Sequence, residues 1–252
     1  MNFEVIGNKD KAVAIVEEGN KKIADEIMRL HPNVKTVLEK SSKRKTKFRV
    51  RGYKIIKGEK NTEVKHKEFG CSFLLNPSKV YFSPRESTER QRIASKVKPN
   101  ETILVMFSGI CPLPIIITKI QPKVKEVYAI ELNPDAHKYA VRNVSINKMG
   151  DKIKVIKGDV KKECPKLKMK FDRVIMPLPK ESNLFLDTAI KYLKKGGILH
   201  YYSWAREDDL FSKAESDIKK EAKKGKIKVL EERKVLPYSP RTWKIVLDVT
   251  IT

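Results

Sequence analysis

From about residue 84 onward, apolar runs of strand length recur with helix-length segments between them, and this alternation constrains the fold more than any other feature of the chain. The runs are TILVMF, EVYAIEL, IKVIKGD, FDRVIM and GGILHYY, with helices expected over about 113–120, 134–148 and 181–195. Strands joined through helices of ten or more residues pair in parallel, because such a crossover returns the chain to the same end of the sheet. A lysine-rich helix near 210–225 follows, then KIKVLEERKV and TWKIVLDVTI, joined through LPYSPR. So short a connection makes the last two strands an antiparallel pair. The expected class is α/β, with a mostly parallel seven-stranded sheet.

The first 83 residues read differently, as a small α+β unit. FEVIG, KAVAIVEE and VKTVLEK are strand-like, and KKIADEIMRLH is an amphipathic helix ended by His31-Pro32. The alternating stretch KFRVRGYKI is expected to be a strand with Arg49 and Arg51 on one face, since side chains two apart point the same way. EVKHKEFGCSFLLN supplies one or two more strands. The expected division is 1–83, a small α+β domain, and 84–252, the larger α/β domain.

The formal charge of +24, from 55 Lys+Arg against 31 Asp+Glu, exceeds what solubility asks for and points to a polyanionic partner, nucleic acid first. Lysine runs lie at Lys43–Lys47 and Lys219–Lys226; such residues hold phosphates without reading sequence, or simply solvate a surface. No apolar stretch approaches the ~20 residues that span a bilayer, and MNFEVIGNKDKAVAIV lacks the order of a signal peptide, so a cytoplasmic protein is expected. Cys71, Cys111 and Cys164 are odd in number and widely separated, which supports neither a disulfide framework nor a metal site.

In a doubly wound sheet a ligand sits at the carboxyl ends of the strands. TILVMF runs into Ser108-Gly109-Ile110-Cys111-Pro112, either a nucleotide-binding turn with one glycine or an ordinary strand-to-helix turn. The second run ends at Glu131, 22 positions after Gly109, about where a carboxylate accepts hydrogen bonds from ribose hydroxyls. The third ends in Gly158-Asp159, where a carboxylate can accept an adenine amino group. Each carboxylate has a plainer alternative as a strand-end charge or helix cap, with Asn133 the better cap before Pro134. Pro177-Leu178-Pro179 stiffens the loop after the fourth run or merely stops the strand.

Taken together these residues resemble the archaeal and eukaryal tRNA (guanine-N1)-methyltransferases that act at position 37, the nucleotide 3′ to the anticodon. The resemblance covers nearly the whole chain. It is carried by the stretch from Lys79 to Arg90 (KVYFSPRESTER), with His66-Lys67-Glu68 and Gly70-Cys71 before it, and by Glu131-Leu132-Asn133-Pro134, Asp172 to Met176, His200-Tyr201-Tyr202 and Tyr238-Ser239-Pro240-Arg241. It implies a Rossmann-like class I methyltransferase domain preceded by a small α+β domain, S-adenosylmethionine as cofactor, no metal, and the tRNA anticodon stem-loop as partner rather than DNA or a membrane; a monomer is expected. It further implies Glu89 as general base with Arg49 beside it at the guanine. Tyr81, Arg85, Phe107, Ser108, Gly109, Glu131, Leu132, Asp159, Val160, Pro177, Leu178 and Pro179 would then surround the cofactor. Without the resemblance, Glu89 reads first as part of a helix's first turn, paired with a nearby base; the resemblance reverses that order.

The chain departs from the family pattern at Val105, where an Asp is common, at Cys111, commonly Gly, and at Pro177, commonly Asn, losing polar groups near the methionine moiety. His66, His137 and His200 read as structural or surface residues, and Trp204, Trp243 and Tyr202 as core aromatics or as stacking partners for a base. Two alternatives accompany the main reading: a neighbouring transferase of wyosine formation, and a degenerate scaffold that binds RNA without catalysis.

Overall fold

The structure, a computed structural model, describes residues 3–42, 48, 50–223 and 225–252. The chain forms two compact units: residues up to Ser87 with Gly109–Pro112 and Asn133–Lys148, and Thr88–Ser108 with Leu113–Leu132 and Met149–Thr252.

In the first unit, β1 (Phe3–Gly7), β2 (Ala12–Val16), β3 (Val34–Lys40) and β4 (Tyr53–Gly58) make a sheet in that order. The β2–β3 pair is parallel because helix α1 (Lys21–Leu30) intervenes; the other two pairs are antiparallel. Asn20 caps α1 by accepting from the Ile23 amide at 3.0 Å. Ala24 and Ile27 of the helix pack with Ala12, Ala14, Val16, Val34 and Val37. Of the strand expected over KFRVRGYKI, the part from Tyr53 lies in β4; just before it the Ser41 amide donates to the Gly52 carbonyl and the Gly52 amide to the Ser42 hydroxyl. Arg51 lies in that approach, and Arg49 lies outside the described residues.

A hairpin of β5 (Val64–Glu68) and β6 (Cys71–Leu75) turns through Phe69 and Gly70, both left-handed (φ 48° and 75°), the twist that a two-residue hairpin requires. Helix α4 (Pro134–Ile146) supplies the partner that the β6 backbone would otherwise lack. Asn143 accepts from the Leu74 amide at 2.7 Å and donates to its carbonyl at 3.1 Å; Asn147 does the same for Ser72 at 2.9 and 2.8 Å. Four residues of helix advance ~6.0 Å and two of strand ~6.6 Å, so two amides at this spacing match a strand edge.

The second unit holds a seven-stranded sheet in the order β12-β13-β11-β10-β7-β8-β9. Its strands are β7 (Thr102–Met106), β8 (Glu126–Glu131), β9 (Ile153–Lys157), β10 (Phe171–Met176), β11 (Leu193–Arg206), β12 (Ile227–Ser239) and β13 (Thr242–Ile251). β9, β8, β7, β10 and β11 are mutually parallel, and β13 pairs antiparallel with both β11 and β12, as the sequence pattern predicts. The remaining helices are α2 (Ser87–Ser95), α3 (Pro112–Ile120), α5 (Val160–Leu167), α6 (Leu186–Lys191) and α7 (Ser212–Ala222).

Two local expectations change. The helix predicted over 181–195 shrinks to a 3₁₀ turn at Ser182–Phe185 and α6, because β11 already begins at Leu193 and bulges around Gly196 (φ 73°) and Gly197. A Cβ at Gly197 would stand 2.9 Å from the Asp172 carbonyl oxygen, so that close approach excludes a side chain. Helix α5, absent from the sequence-based expectation, was hidden by an internal Pro165 and a lysine-rich surface.

The parallel strands do not all end together. Met176, the last residue of β10, pairs with Tyr201, while β11 runs on to Arg206 beside β13 and β12. Five residues of strand are ~16 Å, so the antiparallel edge projects past the carboxyl ends of its neighbours. The three cysteines are buried thiols outside any disulfide, and no helix among the described residues is long and apolar enough to cross a membrane.

Candidate active site

β7 stands where strand order reverses, between β10 and β8, and the loops at this edge of the second unit carry most of the predicted cofactor residues. The chain leaves β7 through Phe107 (φ 56°), Ser108, Gly109 (φ 57°) and Cys111 (φ 62°) before α3 starts at Pro112. Left-handed backbone at Phe107 and Cys111 costs of order 1–3 kcal/mol each, the kind of strain that clusters at ligand sites. Ser108 is buried and its amide donates to the Ile130 carbonyl at 2.9 Å, drawing the loop onto the end of β8. A Cβ added at Gly109 would meet nothing within 4 Å, so glycine is needed there for its φ and leaves open backbone beside the turn.

Glu131 ends β8, and its carbonyl accepts from the Gly158 amide at 2.9 Å, joining the ends of β8 and β9. Leu132 is half-buried and Val160 buried. Asp159 takes the plainer role weighed for it: its side chain accepts from the Lys161 amide at 2.8 Å and caps α5. Asn133 likewise caps α4. Pro177 and Leu178 are half-buried after β10, and Pro179 is buried, its carbonyl accepting from the Ser182 hydroxyl at 3.3 Å. The Phe185 ring meets Phe107 edge-on at 4.9 Å, with the Lys161 ammonium 5.4 Å from its centre, an aromatic wall that sequence reading missed.

In the first unit, Tyr81 donates to Glu86 at 3.1 Å and lines a polar pocket with Glu4, Lys40, Arg51 and Tyr53, while Arg85 is exposed in the 3₁₀ turn Pro84–Glu86. Arg49 falls outside the described residues.

Glu89 lies in the first turn of α2 and is only 7% exposed. Its Oε1 accepts from Arg92 Nη2 at 2.7 Å and from the Tyr202 hydroxyl at 2.5 Å; its Oε2 accepts from Arg92 Nε at 2.9 Å, and Arg233 Nε stands at 3.7 Å. Arg92 Nη1 also donates to Asp248 at 2.6 Å and Glu231 at 3.0 Å. Burial opposes the Arg92 charge, but its bonds to Glu89 and Asp248 outweigh that and raise its pKa. Burial also works to raise the Asp248 carboxyl, yet hydrogen bonds from His200 and Arg92 hold it well below the usual carboxylate range. Burial, then the neighbouring Glu89 charge, pushes the Tyr202 phenol far up, so it remains a donor. The Tyr202 side chain is buried with its hydroxyl turned to Glu89. Trp204 stacks on Tyr238 at 4.1 Å, and Lys234 sits over Trp243 at 4.7 Å. His66, as expected, is structural: its ring bridges Gly7 and Glu68.

Comparison with known proteins identifies the family to which these residues belong. The TRM5/TYW2 methyltransferase domain model matches residues 64–230. The tRNA (guanine(37)-N(1))-methyltransferase Trm5b of Pyrococcus abyssi is 35% identical, covering 100% of this chain and 75% of its own length. The chain belongs to the TRM5/TYW2 family. Among solved structures, Trm5 in complex with tRNALeu aligns at a TM-score of 0.87 and 35% identity, over 100% of this chain and 72% of that one. Methanocaldococcus jannaschii TYW2 in complex with AdoMet aligns at 0.76 and 30%, over 99% of both. Within this TRM5/TYW2 chain, the residues of the polar cluster come from α2, β11, β12 and β13, and only Glu89 among them was singled out by sequence as catalytic.

Proposed function

We propose that the protein transfers a methyl group from S-adenosylmethionine to N1 of guanosine 37 of tRNA. The observation that carries this reading is the state of the Glu89 carboxylate. A carboxylate oxygen offers two lone pairs; Oε1 uses both, for Arg92 and Tyr202, and Oε2 uses one, for Arg92. A buried anion held in fixed orientation with one spare acceptor site is equipped to take a proton.

Guanine N1 is protonated and a poor nucleophile. Glu89 takes that proton into the spare lone pair of Oε2, a contribution worth about 10²–10⁴ in rate. Negative charge then grows on guanine O6, and Arg49, assigned on the family resemblance, offsets it. When bound, the cofactor supplies a methyl group already activated on a sulfonium. Phe107, Ser108, Leu132, Val160 and Pro177–Pro179 would line its place, and Glu131 would accept from the ribose hydroxyls. Asp159 keeps one oxygen for the adenine amino group while the other caps α5. The left-handed turn with open backbone at Gly109 fits a ligand of this kind; Tyr81, Arg85 and Gly109 itself join the set on the resemblance alone.

The net charge of +24 supports a tRNA partner, bound at its anticodon stem-loop, with residues 1–83 acting as the RNA-binding or support domain and 84–252 as the transferase. The working form is a cytoplasmic monomer. The test is incubation of purified protein with S-adenosylmethionine and unmodified tRNA carrying guanosine 37, with product nucleosides weighed by mass spectrometry. 1-Methylguanosine is expected; a larger transferred group would assign the chain to the wyosine branch, and tight tRNA binding with no transfer would make it a binding scaffold.

A further inference from the structure

We propose that Asp248, locked by His200, is a positioning residue that holds Arg92 and, through it, the orientation of Glu89. The inference rests on the reading of Glu89 as base. Glu89 cannot orient itself: it is a flexible side chain on a helix's first turn, fixed by one guanidinium and one phenol. Arg92 spans three carboxylates, with Nε and Nη2 on Glu89 and Nη1 on Asp248 at 2.6 Å and, less closely, on the more exposed Glu231 at 3.0 Å. Asp248 is therefore the far anchor of the clamp.

What holds Asp248 is a chain of assigned donors. Arg173 Nη1 lies 2.6 Å from His200 Nε2, and a guanidinium can only donate, so Nε2 must accept. The proton of the neutral ring then sits on Nδ1 and is donated to Asp248 Oδ1 at 2.6 Å. Burial, the largest effect on the ring, lowers the His200 pKa in agreement with this neutral tautomer. Arg173, wholly buried, is itself held by both Glu101 oxygens at 2.7 and 2.9 Å and by the Lys96 carbonyl at 2.9 Å. No member of the series Glu101–Arg173–His200–Asp248–Arg92–Glu89 can rotate without leaving a buried polar group unpaired.

Among the described residues, Arg92 from α2, Tyr202 from β11 and Arg233 from β12 face Glu89 directly, and behind them stand Lys96 from α2, His200 from β11, Glu231 from β12 and Asp248 and Lys244 from β13. Asp248 draws part of the Arg92 charge away from Glu89. In Asp248→Asn the His200 N–H keeps the amide oxygen, and the amide NH₂ then faces Arg92, donor against donor. Arg92 then keeps only Glu231 on its far side, and more of its charge falls on Glu89, so the base is both misaligned and weakened.

The experiment is single-turnover methyl transfer to tRNA with guanosine 37 across pH, using wild type, Asp248→Asn and Glu89→Gln, with tRNA KM, cofactor Kd and thermal melting measured alongside. For a folded Asp248→Asn protein the maximal rate is expected to fall roughly 10- to 100-fold, the scale of a small misplacement of a reacting group. KM and Kd should stay at wild-type values, and the acidic limb of the profile should move to lower pH because a negative neighbour of Glu89 is gone. A wild-type rate and limb, or a loss matched by changes in KM and Kd, would overturn the proposal. If Asp248→Asn does not melt cooperatively, His200→Leu, which removes the donor and keeps the volume, carries the same test: a rate loss with KM and Kd unchanged supports the positioning role, and a wild-type rate overturns it. Glu89→Gln at the wild-type rate would instead remove the base reading itself, a distinct failure.

Discussion

Strands β7 and β10 and the pair β11–β13 all hold fully buried positions, but the second pair sets buried polar groups among its apolar ones. In the parallel half, Ile103, Leu104, Val105 and Met106 of β7 and Val174, Ile175 and Met176 of β10 are fully buried and apolar. In the antiparallel half, positions as deep hold His200, Tyr202, Lys244 and Asp248, and Arg173 of β10 reaches toward them. Apolar contacts are non-directional and tolerate small changes of shape. A buried polar series depends on every member, since one missing partner leaves an unsatisfied group in a low dielectric. On the proposed reading the difference teaches where this chain needs precision: the parallel half would be scaffold for a nucleotide at its carboxyl edge, and the antiparallel half a jig for one carboxylate.

The sharpest way to break that contrast is Arg173→Met, which keeps volume but leaves Glu101 and His200 without their partner. Removing one member of a buried pair costs about 3–5 kcal/mol, so thermal melting should fall by roughly 10 °C; an unchanged melt would show the polar series to be dispensable. Next comes Glu131→Ala in the cofactor half. Losing hydrogen bonds to a charged group costs about 1.5–3 kcal/mol, and calorimetry should find S-adenosylmethionine bound about 10- to 100-fold more weakly with the melt unchanged. Acidification gives a graded effect. His200 titrates lower in the folded protein than the ~6.5 of a free imidazole, and Asp248 lower than a free carboxyl. The unfolded chain therefore binds more protons at both sites, and stability present above about pH 6.5 is lost progressively as pH falls. Melting temperature should decline from pH 8 toward pH 5, and a rise over that interval would contradict the neutral, bonded His200. The smallest effect belongs to the apolar half: Ile103→Val should cost only about 0.5–1.5 kcal/mol in denaturant unfolding, and a cost matching that of Arg173→Met would erase the contrast.

Periodicity carried the sheet almost whole, because five apolar runs separated by helices allow few arrangements and the final short connection fixes an antiparallel pair. It failed where local signals cancel, as at α5, where Pro165 masks a helix that Asp159 caps, and at β11, whose Gly196-Gly197 bulge lets the strand start early. Glu89 was picked out by resemblance, and Arg92, three residues on, is a partner that helix geometry alone can suggest. Tyr202 and Asp248 stand 113 and 156 residues from the groups they bond on α2, so only the strand order brings them there. The left-handed Phe107 and Cys111 carry no sequence mark either, since neither residue type favours that backbone.

The most direct measurement is the single-turnover rate of methyl transfer to guanosine 37 by Glu89→Gln beside wild type, with cofactor and tRNA affinities taken on the same preparations. A rate lower by about 10²–10⁴-fold, with both affinities intact, is the result expected if the buried carboxylate is the base. A rate within a few fold of wild type would contradict it.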